Sequence, residues 1–256
     1  MRFKKLLLAL RPDVGISNER SRERWLEATL AAVPAGSRIL DAGAGTQRYR
    51  RFCAHLNYVS QDFGEYDGSG DNAGLQTGDF DYGALDLVCD IASIPEADAS
   101  FDAIMCVEVL EHVPHPELAI REFARLLRPG GRLIVTAPFC SLTHFAPYHF
   151  CTGFSRYWYE HHMKEHGLRI DELTPNGNYF EFIAQEMYRI PSIASRYSKS
   201  RPGPFALLSM ALLLRTLKRL SRRDTNSSET LCYGFHVVAR KCESAATGES
   251  PREAPR

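Results

Sequence analysis

The sequence predicts an α/β chain: a doubly wound, mostly parallel sheet of seven strands, helices on both faces, and a helical insertion before the last strand. Three observations predict it. Short apolar runs alternate with amphipathic stretches between residues 37 and 173, the rhythm of strand–helix–strand units. The run Phe101–Val107 is nearly all apolar, as a strand buried on both faces requires. Four carboxylates, Asp41, Asp62, Asp90 and Glu108, each fall at the end of a predicted strand. Four separate elements thus aim acids at the sheet edge where such folds bind ligands.

Taken in order, residues 16–33 read as a helix with Trp25, Leu26, Leu30 and Val33 on one face, stopped by Pro34-Ala35-Gly36. A strand through Ile39-Leu40 ends in Asp41-Ala42-Gly43-Ala44-Gly45-Thr46, which turns the chain into a helix expected to reach Leu56. Tyr58–Asp62 is the second strand. Gly64–Asp81 reads as a long loop, a kind that is uncommon unless functional. Leu85–Ile91 and Phe101–Val107 are the third and fourth strands. His115-Pro116-Glu117 opens a helix with proline at its first position, acids early and arginines late, which Pro129-Gly130-Gly131 ends. Arg132–Ala137 is the fifth strand, Phe154–His166 a helix, Leu168–Leu173 the sixth strand and Gly234–Arg240 the last. The insertion, residues 175–230, holds a helix near Glu181–Tyr188, a Pro/Ser-rich linker and an apolar helix from Phe205 to Leu220. The expected organisation is one domain over 1–241, with residues 1–33 as a helical extension and 242–256 as a disordered polar tail.

Composition narrows the function classes. The chain has 256 residues, 44% hydrophobic and 24% charged, ordinary values for a globular domain. Basic and acidic residues number 31 each, which argues against a whole-chain footprint for nucleic acid. Seven cysteines without a C-x-x-C pair suggest reduced thiols and a cytoplasmic protein. The start, Met1–Leu10, imitates a signal peptide, but its apolar run ends too soon at Arg11-Pro12.

The glycine turn separates two ligand readings. A dinucleotide fingerprint wants a third glycine where Arg48 stands. Asp41-Ala-Gly43-Ala-Gly45 instead resembles motif I of the class I S-adenosylmethionine-dependent methyltransferases. The later segments fall in the family's order: Asp62 at the second strand, Cys89-Asp90-Ile91 at the third, Phe101-Asp102 with Cys106-Val-Glu108-Val-Leu-Glu111-His112 at the fourth, and Leu126-Leu-Arg-Pro-Gly-Gly131 at the helix–strand join. The resemblance implies a Rossmann-like fold and S-adenosyl-L-methionine as cofactor. It implies that Asp41, Gly43, Gly45, Asp62, Asp90, Ile91 and Glu108 surround that cofactor. In the family the second-strand acid grips the ribose hydroxyls; here Asp62 is the match and Glu65 the alternative. The physics agrees, since a ribose diol is well held by a carboxylate.

The acceptor side begins after the fifth strand. Eight of the 24 residues from Phe139 to His162 are aromatic, and four are histidines. Phe154, Tyr157 and Trp158 sit at helical spacing and read as core. The loop Ser141–Phe150 reads as substrate contact. A hydroxyl acceptor needs a base, and imidazole titrates in the right range. His149 is the first candidate and His112 the second. Glu108, Glu111, His112 and His149 also resemble the metal-binding set of small-RNA 2′-O-methyltransferases and of ubiquinone-pathway O-methyltransferases.

The expectation is O-methylation of a small-molecule, glycan or lipid-linked acceptor. An RNA methyltransferase and a non-catalytic cofactor-binding module are the alternatives. The apolar helix, followed by Arg215, Lys218, Arg219, Arg222 and Arg223, is too short to span a bilayer. Residues 204–223 are expected to pack within the insertion or to touch the inner membrane face peripherally.

Overall fold

The computed structural model describes residues 12–243. The Met1–Leu10 segment and the tail from residue 244 lie outside the described residues. Helix α1 spans Asn18–Ala31. The strands are β1 (Arg38–Ala42), β2 (Asn57–Asp62), β3 (Leu87–Val88), β4 (Phe101–Val107), β5 (Leu127–Pro138), β6 (Leu168–Asn176) and β7 (Gly234–Lys241). They form one sheet in the order β3-β2-β1-β4-β5-β7-β6. All neighbours pair parallel except β7, which runs antiparallel to both β5 and β6.

Alternation along the central strands builds two cores. Leu40, Ile104, Cys106, Leu133 and Val135 face the side covered by α2 (Pro116–Leu126) and α3 (Arg156–Glu165), where Ile120, Phe123 and Met163 meet them. Ile39, Ala103, Met105 and Ile134 face the other side and pack under Leu26 and Leu30 of α1. Each fully buried side chain of this size contributes about 1.5–3 kcal/mol, so a sheet apolar on both faces is stable only with helices on both.

Four local departures from the sequence pattern have physical causes. No α-helix follows the glycine turn. Gln47 adopts a left-handed φ of +55°, its side-chain amide donates to the carbonyls of Tyr82 and Ala84 at 2.9 and 2.7 Å, and one 3-10 turn, Arg50–Phe52, replaces the expected helix. Strand β3 shrinks to two residues: before it, the Asp86 carboxylate accepts the Ser60 N–H and hydroxyl, and after it Asp90 opens a turn closed by the Ser93 N–H. Strand β5 starts at Leu127, so it includes the Pro-Gly-Gly segment, with a bulge against Phe101. Within the insertion, α4 (Tyr179–Tyr197) continues through Pro191, which shortens the expected linker before α5 (Pro204–Ser221). The N-cap Asn178 accepts the Glu181 N–H at 3.0 Å, and the same side chain donates to Ser221 Oγ at 3.1 Å. This ties the start of α4 to the end of α5.

Candidate functional site

The glycine turn after β1 closes on β2. The Gly43 and Ala44 N–H groups donate to the Gln61 carbonyl, at 2.9 and 2.8 Å, and the Gly45 N–H donates to Asp62 Oδ2 at 2.8 Å. Both glycines have positive φ, +76° and +50°, where a Cβ is strained. A Cβ on Gly43 would also lie 2.5 Å from the Val109 methyls, so packing alone requires that glycine. A Cβ on Gly45 would lie 3.3 Å from the Phe80 ring.

The predicted carboxylates separate into different environments. Asp62 is 5% exposed, and its second oxygen accepts the Gly64 N–H at 3.2 Å. Burial raises its pKa, against the pull of these backbone donors. Glu65, the alternative, is exposed and accepts from the Tyr148 hydroxyl at 3.3 Å. Asp41 does not aim at the ligand edge. Its carboxylate accepts the Tyr58 hydroxyl at 2.6 Å, and burial raises its pKa to about 7 although that hydrogen bond opposes the rise. Asp90 is exposed and caps its own turn by accepting the Ala92 N–H at 2.8 Å, while Ile91 is buried in the core.

Glu108 follows β4 directly, with a left-handed φ of +56°. Its oxygens are committed: Oε1 accepts the Thr136 hydroxyl at 2.8 Å and Oε2 pairs with Arg22 of α1 at 3.0 Å. Glu108 therefore stands apart from the four-residue set predicted with Glu111, His112 and His149. His144 takes its place. The ligating nitrogens of His112, His144 and His149 lie within 4.8 Å of one another. Glu111 Oε1 is 3.8 Å from both His112 Nε2 and His144 Nε2.

Every member of this cluster is driven toward its neutral form. Burial raises Glu111 well above the usual carboxylate range, with Glu108 adding to the rise. Burial lowers His112 to about 3, and it lowers His144 and His149 as well. His112 Nδ1 donates to the Tyr148 carbonyl at 2.5 Å, which leaves Nε2 as an acceptor facing the cluster. Glu111 Oε2 and both ring nitrogens of His149 are buried without a hydrogen-bond partner among the described residues. Such a set suits two tasks: proton transfer to a buried imidazole, or coordination of a divalent ion by Glu111, His112, His144 and His149. Sequence reasoning missed His144 in this role. Its available signal was the H-x4-H spacing to His149 in one loop.

Two loops cover the glycine turn and the cluster together. Tyr66 stacks on Phe145 with ring centroids 4.4 Å apart, and Phe80 meets Phe145 edge-on at 5.6 Å. Phe145 in turn lies 4.9 Å from His112. The path from Gly45 to the histidines is thus two aromatic rings long. Leu75 and His144 form a parallel bridge between the loops, and Arg196 of α4 donates to the carbonyls of Asn72 and Gly74.

The likeness to known proteins follows this geometry. A family profile described as "Methyltransferase domain" matches residues 40–135, from the glycine turn through β5. The chain is 25% identical over 225 residues to the mouse "Probable tRNA methyltransferase 9B", a match covering 85% of this chain and 42% of that protein. It is 38% identical over 108 residues to the "Ubiquinone biosynthesis O-methyltransferase" of Xanthomonas axonopodis pv. citri, covering 40% of this chain and 44% of that one. The chain therefore spans less than half the length of the curated relatives it matches. Among solved structures, the [4+2]-cyclase SpnF superposes with a TM-score of 0.54 at 20% identity, over 88% of this chain and 81% of its own. That likeness speaks for the fold alone. The motifs in order and the matched methyltransferase domain over residues 40–135 make this part of the chain similar to the class I S-adenosylmethionine-dependent methyltransferases, and the sheet order agrees with that fold.

Proposed function

We propose that this S-adenosylmethionine-dependent methyltransferase methylates oxygen on a small-molecule, glycan or lipid-linked acceptor. The observation that supports this reading best is the cluster of buried Glu111 with half-buried His112, His144 and His149, two aromatic rings from the glycine turn. The bound cofactor supplies a methyl group on a cationic sulfur. Asp62 fits as the ribose acceptor, being a buried carboxylate held at the turn by the Gly45 N–H. The aromatic cover excludes water, which protects the cofactor and strengthens every polar contact beneath it. A hydroxyl acceptor must lose its proton, and His149 is the better base. Both its ring nitrogens are unengaged among the described residues, whereas His112 spends Nδ1 on Tyr148 and is pushed down to about 3. The 38% identity to an O-methyltransferase segment supports the same reading.

A second role for the cluster has its own support. The ligating nitrogens of His112, His144 and His149 lie within 4.8 Å of one another, and Glu111 Oε1 is 3.8 Å from two of the rings, a donor set of the kind that suits a divalent ion. Glu111, His112, His144 and His149 would hold such an ion, whose chemistry would be to lower the pKa of an acceptor hydroxyl.

The test is incubation of the full chain with methyl-labelled cofactor and a panel of phenols, catechols, glycans, lipid-linked acceptors and bulk tRNA. Label recovered on a hydroxyl of a non-nucleic-acid acceptor is the expected result. Label on tRNA alone would replace this reading with that of the tRNA methyltransferase relative. Tight cofactor binding without transfer to any acceptor class would favour a binding module.

A further inference from the structure

The helical insertion carries a surface that methyl transfer does not use. Helices α4 and α5 pair antiparallel, with Ala184 and Met187 against Leu214 and Leu217, and Val14 closes the seam. The opposite side of α5 is open. Phe205 is 83% exposed, Leu208 52% and Leu212 54%. Steps of three and four residues put these three on one helical face. Ile190 and Tyr197 of α4 add further exposed apolar surface.

Charge on the insertion has one sign. From Tyr188 to Arg223 the chain has nine Lys/Arg and no Asp/Glu, although the whole chain carries 31 of each. Three of the nine are engaged: Arg189 with Glu186, Lys218 with Asp13, and Arg196 with loop carbonyls. Lys199, Arg201, Arg215, Arg219, Arg222 and Arg223 have no ion pair among the described residues. At about 3.6 residues per turn, Arg215 and Arg219 return to the face of Phe205, Leu208 and Leu212, and Arg223 follows just past the end of the helix. The exposed side of α5 is therefore apolar in its first half and cationic in its second.

We propose that α5 docks the chain on an anionic lipid surface, with Phe205, Leu208 and Leu212 at the acyl boundary and Arg215, Arg219 and Arg223 among the phosphates. Among the described residues no helix is long and apolar enough to cross a membrane, so α5 lies on the surface. Charge complementarity selects this occupant. Nucleic acid would use the cations but has no use for three exposed aliphatic and aromatic side chains on the same face. A second copy meeting this patch about a twofold axis would bring like charges together. The docking is independent of which acceptor the enzyme takes.

Sedimentation of the full chain at low salt, with vesicles of phosphatidylcholine alone or of equimolar phosphatidylcholine and phosphatidylglycerol, tests it. Binding to the anionic vesicles alone, reversed by salt, is expected. The double variants Leu208→Asp/Leu212→Asp and Arg219→Glu/Arg223→Glu change exposed positions, so melting temperature and cofactor affinity should hold. Each should lower vesicle partitioning by about tenfold or more. Four results overturn the proposal: wild-type protein left in the supernatant, equal binding to both vesicle types, variants that bind like wild type, or a wild-type dimer that Leu212→Asp splits. Binding to bulk tRNA that the charge variant abolishes and the leucine variant keeps would also overturn it, by reassigning the face to nucleic acid.

Discussion

Arg22 Nη1 lies 3.0 Å from Glu108 Oε2, and this pair withdraws Glu108 from the histidine cluster to which its own E-x-x-E-H motif would assign it. The arginine arrives from α1, so a helix outside the motif-bearing segment decides what a motif residue does. Removing the cation leaves a half-buried carboxylate with only Thr136 as partner. Arg22→Ala should therefore destabilise the chain by roughly 1–3 kcal/mol, read by denaturant unfolding. An unchanged midpoint would mean that the pair contributes nothing.

Asp62→Ala should weaken S-adenosylmethionine binding by about 1.5–3 kcal/mol, the worth of a charge-assisted acceptor. Titration calorimetry measures it. Equal affinity in wild type and variant would remove Asp62 from the site. Glu65 is a poor replacement, since it is exposed and accepts from the Tyr148 hydroxyl.

His149→Ala should reduce turnover by roughly 10²–10⁴-fold, the range for a lost general base, with cofactor affinity nearly unchanged. Burial lowers this imidazole, so in wild type the rate falls only as pH drops below the ordinary histidine range. A variant with full activity would exclude His149 as the base.

Divalent ions separate the two roles of the cluster. If Glu111, His112, His144 and His149 hold a metal, a saturating ion at about 100 times its Kd stabilises the fold by about 2.7 kcal/mol. His144→Ala should abolish that gain, and Glu108→Gln should keep it. A melting temperature that no divalent ion raises would rule out the metal. Loss of the gain in Glu108→Gln would restore the original four-residue set.

Asp41 sets a pH dependence with a defined sign. Its folded pKa is about 7 against an ordinary 3.8, with burial the main cause. Between those values the folded chain holds a proton that the unfolded chain has released, so this group's contribution to stability falls as pH rises through the window. Asp41→Asn lacks that cost. The melting-temperature difference, variant minus wild type, should grow from about pH 4 to about pH 7 and then level off. A difference constant across that range would contradict the assignment.

Most of the fold was legible because it rests on local signals. The two-sided apolar run Phe101–Val107 and the proline-opened helix at Pro116 need no distant partner to be recognised. What escaped depended on contacts far along the chain. Tyr49, Phe52 and Leu56 have helical spacing, but Gln47 is held left-handed by carbonyls of residues 82 and 84. His144 joins the cluster through a loop that pairs with Leu75, a contact no sequence pattern announces. The resemblance implies that Gly43 borders the cofactor, whereas Val109 occupies the space a side chain there would need. A Gly43→Val variant therefore probes folding.

The Phe80 ring over Gly45 has a thermodynamic consequence. A Cβ built on Gly45 would lie 3.3 Å from the ring; if the cofactor contacts the backbone there, it has to displace Phe80, and the binding-competent state is then a fraction of the population. The measured affinity is then the intrinsic affinity scaled down by that fraction. Phe80 belongs to the same cover as Phe145, the Leu75–His144 bridge and the Arg196 contacts. Substitutions that loosen any of these raise the open fraction and tighten apparent cofactor binding without touching the cofactor. The cover therefore trades affinity for exclusion of water, and its stiffness sets the exchange rate between them.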